Sequence, residues 1–312
     1  MTPKKIIDLP LLESLPGYAQ GKPLPPPQPM GAHAKKSAAA IREAMFPGGQ
    51  AKPEQAFLPF APMPTELCRV SPFFPMSRNE TANRPYIADM VITKSSWGEL
   101  RYTGEKLSIY EEDALLAVMA VLDSTRGDHE TYVYEGPALP ILRLMGYEKP
   151  NKTEYERLET AFRRMAGATF HLRIKGVMRT TENIISKVAV DEKTRHFVIA
   201  LNPYFAEQYI AGSVTLLDVV ERRKLKRATA KSLYRFISSH RNGTWQGHFM
   251  TLAATMNLNL DQPQFELRRQ IKDAVAELRK SGMLARSSGF THGSKDVVRL
   301  VRPGAGQPAL KK

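Results

Sequence analysis

Cysteine is all but absent: Cys68 is the single thiol in 312 residues. No intrachain disulfide and no cysteine-based zinc site can therefore form. Long apolar runs are missing too. No stretch approaches the roughly 20 residues that a membrane-spanning helix needs, and Met1 to Asp8 lacks the apolar run of a signal peptide. The composition predicts a soluble protein of a reducing cytoplasm. Catalytic signatures are also lacking. No glycine-rich Walker loop is present to cradle a triphosphate, so an ATPase is not expected. The seven histidines, among them His33, His129, His171 and His240, show no metal-ligand spacing. Tyr155 and Tyr209 have no His-x-His or carboxylate pair nearby to make them DNA-cleaving nucleophiles, and packing explains them better. The expectation is a non-enzyme without metal or cofactor.

What is present is positive charge, unevenly placed. The chain carries 45 Lys and Arg against 31 Asp and Glu, a formal net charge of +14. Residues 213–312 hold nineteen against seven, residues 1–70 eight against five, and residues 71–212 eighteen against nineteen. A compact module with the excess of the last third attracts a polyanion, because each phosphate it neutralises releases condensed counterions.

Proline divides the chain. Fifteen of the 23 prolines precede residue 76, and proline removes backbone donors and favours extended conformations. Residues 1–70 therefore read as a flexible tail, with a short alanine-rich helix possible over Ala32–Phe46. From Ser71 the pattern is globular. Short strands are expected at Asp89–Ile92 and Glu99–Tyr102, a helix at Tyr110–Leu122, a strand at Thr131–Tyr134, and helices at Gly136–Met145 and Asn151–Met165. Strands at Thr169–Ile174, Ile184–Val190 and His196–Leu201 follow. The order recurs: helices at Asp218–Arg223, Ala228–His240, Thr251–Asn257 and Gln262–Lys280, then a hairpin from Met283–Arg286 and Asp296–Val301. The fold class is α+β. Two tandem winged helices, 71–212 and 213–312, each a helix-turn-helix with a β-hairpin wing, follow the tail.

The long C-terminal helix carries the sharpest signal. At 100° per residue, Leu267, Ile271, Ala274, Val275 and Leu278 share a buried arc, while Arg268, Arg269, Lys272, Arg279 and Lys280 occupy the outward half. Glu266, Asp273 and Glu277 fall on one flank. A solvated face usually interleaves signs; this one separates them. The second helix of a helix-turn-helix enters the major groove, where Arg and Lys read guanine. Gln264, Arg268, Arg269 and Lys272 are the expected base readers, with Arg279 and Lys280 beyond them. The corresponding helix of the first module mixes Lys152 and Arg163 with Glu156 and Glu159, and reads better as a scaffold or protein-protein face. Secondary DNA contacts are assigned to its hairpin, at Arg173, Lys175 and Arg179. A basic run, Arg222, Arg223, Lys224, Lys226 and Arg227, is expected to clamp phosphates beside the groove.

The runs Ala230-Lys231-Ser232-Leu233-Tyr234-Arg235-Phe236-Ile237-Ser238-Ser239-His240-Arg241 and Val275-Ala276-Glu277-Leu278-Arg279-Lys280-Ser281-Gly282 resemble the TrfA family of plasmid replication initiators. Weaker similarity extends over Leu139–Phe170 and Val188–Ala211. The resemblance implies tandem winged helices that bind repeated origin sites (iterons), melt adjacent AT-rich DNA and recruit host helicase. In the tail, Gln55, Leu58 and Phe60 resemble the glutamine-leucine-phenylalanine peptide that docks on the bacterial sliding clamp. The reading is a sequence-specific initiator on double-stranded origin DNA, self-associating through its first module. A winged-helix transcriptional regulator and a DNA-nicking rolling-circle initiator are the alternatives.

Overall fold

A computed structural model describes residues 60–94, 98–125, 132–174, 178–191, 193–291 and 296–304. Folded chain begins ahead of the expected boundary. Strand β1 (Phe60–Pro64) pairs antiparallel with β11 (Val214–Asp218), and helix α1 (Thr65–Arg69) follows. Ala61, Met63 and Cys68 are fully buried. Residues 60–70 thus belong to the folded first module rather than to the tail, and the prolines fit the strand. The Thr65 amide donates to the Ser213 carbonyl at 3.0 Å, so odd-numbered residues face β11. Pro62 and Pro64 turn their donorless nitrogens outward, where an edge strand needs no donor. Burial pushes the Cys68 thiol up to about 12, away from the thiolate that reactivity requires.

The first core surrounds α3 (Ile109–Thr125), in which every residue from Ala114 to Leu122 is buried. The run is apolar on all sides, and a helix of that kind belongs inside. Packed around it are β6 (Val133–Pro137), α4 (Ala138–Leu144), α5 (Lys152–Gly167), β9 (Ile185–Asp191) and β10 (His196–Leu201), with sheet order β6-β10-β9. Asn151 and Glu154 start α5 with a reciprocal capping box. The second core is built from α8 (Ala228–Ser238), β12 (Thr244–His248), α9 (Phe249–Thr255), α10 (Gln264–Lys280), β13 (Gly289–Phe290) and β14 (Val297–Val301), with sheet order β12-β14-β13. Helix, strand, helix, helix and hairpin thus occur twice, with the same strand order.

One detail marks the correspondence. A Cβ on Gly136 would meet the Tyr134 ring hydroxyl at 2.9 Å, and one on Gly247 would meet the Trp245 ring at 2.7 Å. In both modules an aromatic ring folds over the glycine two residues on, just before the short helix, leaving no room for a side chain.

The strands between α5 and β9 differ from expectation. A separate hairpin, β7 (Thr169–Ile174) and β8 (Met178–Asn183), joins β3 (Tyr86–Lys94) and β4 (Gly98–Glu105) in a four-stranded antiparallel sheet of order β3-β4-β7-β8. The hairpin that follows the helices of the first core is β9–β10. Ser287 and the residues before it form no strand, so the second wing is shorter than Met283–Arg286 suggested; β13 begins at Gly289. Helix α2 (Arg78–Ala82), the two-residue strands β2 (Phe73–Phe74) and β5 (Leu107–Ser108), and α6 (Pro203–Ile210) complete the first module. The first core runs to Val219 and the second starts at Leu225, so the division lies within and just after α7 (Val219–Arg223) rather than at residue 213.

Carboxylates at the start of α3 join the modules. Glu112 lies 2.9 Å from Arg222 and 2.8 Å from Arg235, and all three side chains are at most 1% exposed. Asp113 accepts from the Arg222 Nε at 2.9 Å and pairs with Lys231. Glu111 receives Arg84 at 3.0 Å and Arg164 at 3.4 Å. A helix N-terminus favours carboxylates, and cations from α5, α7 and α8 neutralise them.

Candidate nucleic-acid interface

The turn before α10 is anchored on both sides. Asn257 ends α9 with left-handed backbone, φ 56°, a conformation that Asn accepts more readily than most residues. Its side-chain amide donates to the Ser71 and Phe73 carbonyls of the first module, the latter at 3.2 Å. Asn259 accepts the Asp261 amide at 3.1 Å, a side-chain turn that sets up Pro263 and the helix start. Leu267, Ile271, Ala274, Val275 and Leu278 bury one face of α10, as the helical spacing predicts. The opposite face looks to solvent.

The outward cations differ in how firmly they are held. Arg268 is only 27% exposed: it pairs with Asp296 at the start of β14, and its guanidinium lies 4.2 Å above the Phe249 ring. It braces α10 against α9 and the wing. Arg269 is 65% exposed and donates twice to Glu266, at 2.9 and 2.5 Å. That pair raises the Arg269 pKa and lowers the Glu266 carboxyl below its ordinary value. Lys272 lies 5.5 Å over the Phe290 ring of β13. Gln264 is exposed and accepts from Arg268 at 3.4 Å. Among the described residues no carboxylate is in ion-pair range of Lys272, Arg279 or Lys280.

The basic run at 222–227 is not a single clamp. Arg222 is buried in the Glu112 and Asp113 network and cannot reach a phosphate. Its place one turn after Val219 on a five-residue helix turns it inward with that apolar residue. Arg223 donates to the Arg143 carbonyl at 3.0 Å, Lys224 pairs with Glu221, and Arg227 lies 3.4 Å from Asp273 and 3.6 Å from Glu277. The Lys226 amide donates to Glu277. The acidic flank of α10 therefore ties the run to the helix. Arg173 sits on β7 opposite Glu99 and Arg179, in the four-stranded sheet and not on a wing. Lys175, Gln55 and Leu58 lie outside the described residues, while Phe60 is paired with Asp218 in the β1–β11 ladder rather than free on a tail.

The quoted motif at 236–241 caps α8. The Ser239 hydroxyl donates to the Phe236 carbonyl at 2.7 Å, and the His240 ring bonds the same carbonyl at 2.9 Å while packing on the Phe236 ring. Burial lowers the His240 pKa. One exposed residue escaped the charge-based reading: Phe265, 70% exposed on the outward face of α10. A helical wheel scored for aromatics as well as cations would have found it.

Among the described residues no three His, Cys, Asp or Glu side chains converge as a metal site, and no helix is long and apolar enough to cross a membrane. A cleft of about 340 Å³ separates Ser77, Glu80 and Lys106 from Arg227, Arg269 and Asp273 across the module boundary. Its cations are paired, Lys106 with Glu80 at 3.6 Å.

The fold is shared with a crystal structure of domains 2 and 3 of RctB: 13% identity over 76% of this chain and 97% of that one, with a TM-score of 0.55. A second structure of the same RctB domains matches at 12% identity over 74% and 94%, TM-score 0.46. The Pi initiator protein, in a crystal structure with iteron DNA, matches at 15% identity over 62% and 91%, TM-score 0.44. No curated protein sequence matches the chain. Residues 98–238, from the start of β4 to the end of α8, match the WH1 model of the initiator replication proteins, and over that stretch the chain is similar to the replication initiators.

Proposed function

We propose that this protein is a non-enzymatic replication initiator of a plasmid, which binds repeated sites in origin DNA through two tandem winged helices. The match of residues 98–238 to the initiator WH1 model carries the reading. The outward face of α10 supplies the DNA side of it. Lys272, Arg279 and Lys280 are free of carboxylate partners among the described residues, Arg269 is held only by one surface pair of a kind that contributes little, and all belong to the long helix before a hairpin, the position that enters the major groove. Lys226, whose amide bonds Glu277 of α10, lies beside it as a phosphate contact, which positions without specifying sequence, and Arg223 would add one from its place against the Arg143 carbonyl. Arg173 would touch DNA only from the separate four-stranded sheet.

The narrower TrfA likeness, the opening of AT-rich DNA, self-association of the first module and recruitment of host helicase are parts of the same proposal. The segment around Gln55 and Leu58 is where a sliding-clamp contact would lie. Footprinting of the DNA flanking the gene tests the reading. A ladder of evenly spaced protections is expected. With about six phosphates neutralised, binding should fall with salt along a log-log slope of roughly −5. A single isolated protection over a promoter would favour a transcriptional regulator instead, and no protection would remove both.

A further inference from the structure

Phe265 is the second residue of α10 and the most exposed large apolar side chain among those of the described residues that project into solvent, at 70%. Folding does not account for it. Leu267 and Ile271 fill the core face of the helix, and a ring left in water forgoes the stabilisation that burial of an aromatic brings. Its position is informative. At 100° per residue it stands about 160° from Leu267, between Lys272 at about 140° and Ala276 at about 180°. It therefore occupies the middle of the outward arc, in the first turn, with Arg269 at about 200° on the other side.

Those neighbours decide what the ring is for. The core of a protein-protein interface is depleted in lysine, whereas Arg269 one turn on and Lys272 two turns along the same face, over the Phe290 ring, draw a phosphate backbone to this face. The first turn of a helix in the major groove faces base edges, and the one apolar group displayed there is the C5 methyl of thymine, which phenylalanine contacts. We infer that Phe265 determines sequence specificity by packing on a thymine methyl of the bound site. The inference rests on the proposed reading of α10 as the DNA-entering helix.

The test uses the full chain and a single protected repeat, after preference for that repeat over random duplex has been measured. Each thymine is replaced in turn by deoxyuridine, which removes the methyl and leaves pairing intact. Wild type is expected to lose about fourfold in affinity at one or two positions, the equivalent of one buried methyl. Phe265→Ala is expected to bind the repeat more weakly and to be indifferent to the same replacements. Phe265→Leu keeps an apolar contact and should retain part of the effect. The inference is overturned if wild type tolerates deoxyuridine at every position, or if Phe265→Ala shows the same losses. Lack of preference for the repeat in the first measurement would instead remove the parent reading, and this inference with it.

Discussion

Arg235 donates to Glu112 at 2.8 Å with neither side chain exposed to solvent. The pair fastens α8, the first helix of the second core, to the N-terminal turn of α3, the central helix of the first. Arg222 shares the same carboxylate and reaches Asp113 as well. Burial opposes the charge on Arg222, yet the two carboxylates outweigh it and its pKa is raised. A buried ion pair is not strong evidence of net stabilisation, but it is intolerant of losing one partner. These charges act beside the Asn257 bonds to Ser71 and Phe73 in setting the relative placement of the two modules, and part of the positive excess of the last third lies inside the protein rather than on a partner.

Replacing Glu112 by Ala should leave the Arg235 guanidinium buried without its carboxylate and Arg222 with Asp113 alone, and is expected to destabilise the fold by about 3–5 kcal/mol. Arg222→Ala should likewise lower stability, by leaving Glu112 and Asp113 short of a partner. Urea unfolding measures both. An unchanged midpoint for Arg222→Ala, together with a shallower salt dependence of DNA binding, would return that residue to the phosphate-contacting set.

Side chains on α10 should separate into two kinds. Arg269→Ala and Lys272→Ala are expected to lose discrimination between cognate and random DNA by roughly 1–3 kcal/mol where the side chain reads a base. Lys280→Ala should weaken both DNAs about equally and reduce the salt slope by about 1. Arg268 is held by Asp296 and Phe249, so Arg268→Ala should also loosen the wing and lower stability. Competition binding at two salt concentrations resolves the three patterns. Equal loss on both DNAs for Arg269 and Lys272 would mean that neither reads bases.

His240 gives a pH dependence of known sign. Burial lowers its pKa in the folded protein, so the fold prefers the neutral ring that bonds the Phe236 carbonyl. The stability it contributes is present above the ordinary histidine pKa of about 6.5 and is lost as pH falls through the lowered folded value. Wild type should therefore lose more stability between pH 7 and 5 than His240→Asn does. Parallel pH profiles for the two proteins would exclude this contribution.

The sequence exposes some of this architecture and conceals the rest for identifiable reasons. The core face of α10 is legible because Leu267, Ile271, Ala274, Val275 and Leu278 repeat at helical spacing and all five are buried. β1 is hidden by its prolines, whose spacing of two suits an edge strand that only the pairing with β11 reveals. β8 reads Met-Arg-Thr-Thr-Glu-Asn and offers no alternation of apolar residues, so the extra hairpin that carries Arg173 is not legible in the sequence. Arg222 is the clearest limit. Within a run of five cations, local pattern does not tell which one meets carboxylates over a hundred positions earlier. The Phe236 to Arg241 motif shows a different limit: it carries the family resemblance, yet its Ser239 and His240 close a helix.

The last prediction concerns the length of DNA that one molecule covers. The two modules repeat one arrangement of elements, with α5 and α10 in corresponding places. If both face one side of a duplex, their long helices should enter the major groove about one helical turn apart, roughly 10 base pairs, with several more covered on either side. One molecule should then protect about 20 base pairs. Tandem sites should recur at about two turns, so that successive molecules share a face. The two halves of the footprint should differ. On α5, Lys152 and Arg163 pair with Glu156 and Glu159 one turn away, which leaves that helix little free positive charge. On α10, Lys272, Arg279 and Lys280 keep theirs. Base changes under the first module should therefore be tolerated better than those under the second. Hydroxyl-radical footprinting of a single site, with a mutational scan of its bases, measures both features. Protection of only about 10 base pairs would mean that α10 and its wing bind alone, with the first module held off the duplex by the Glu112 junction.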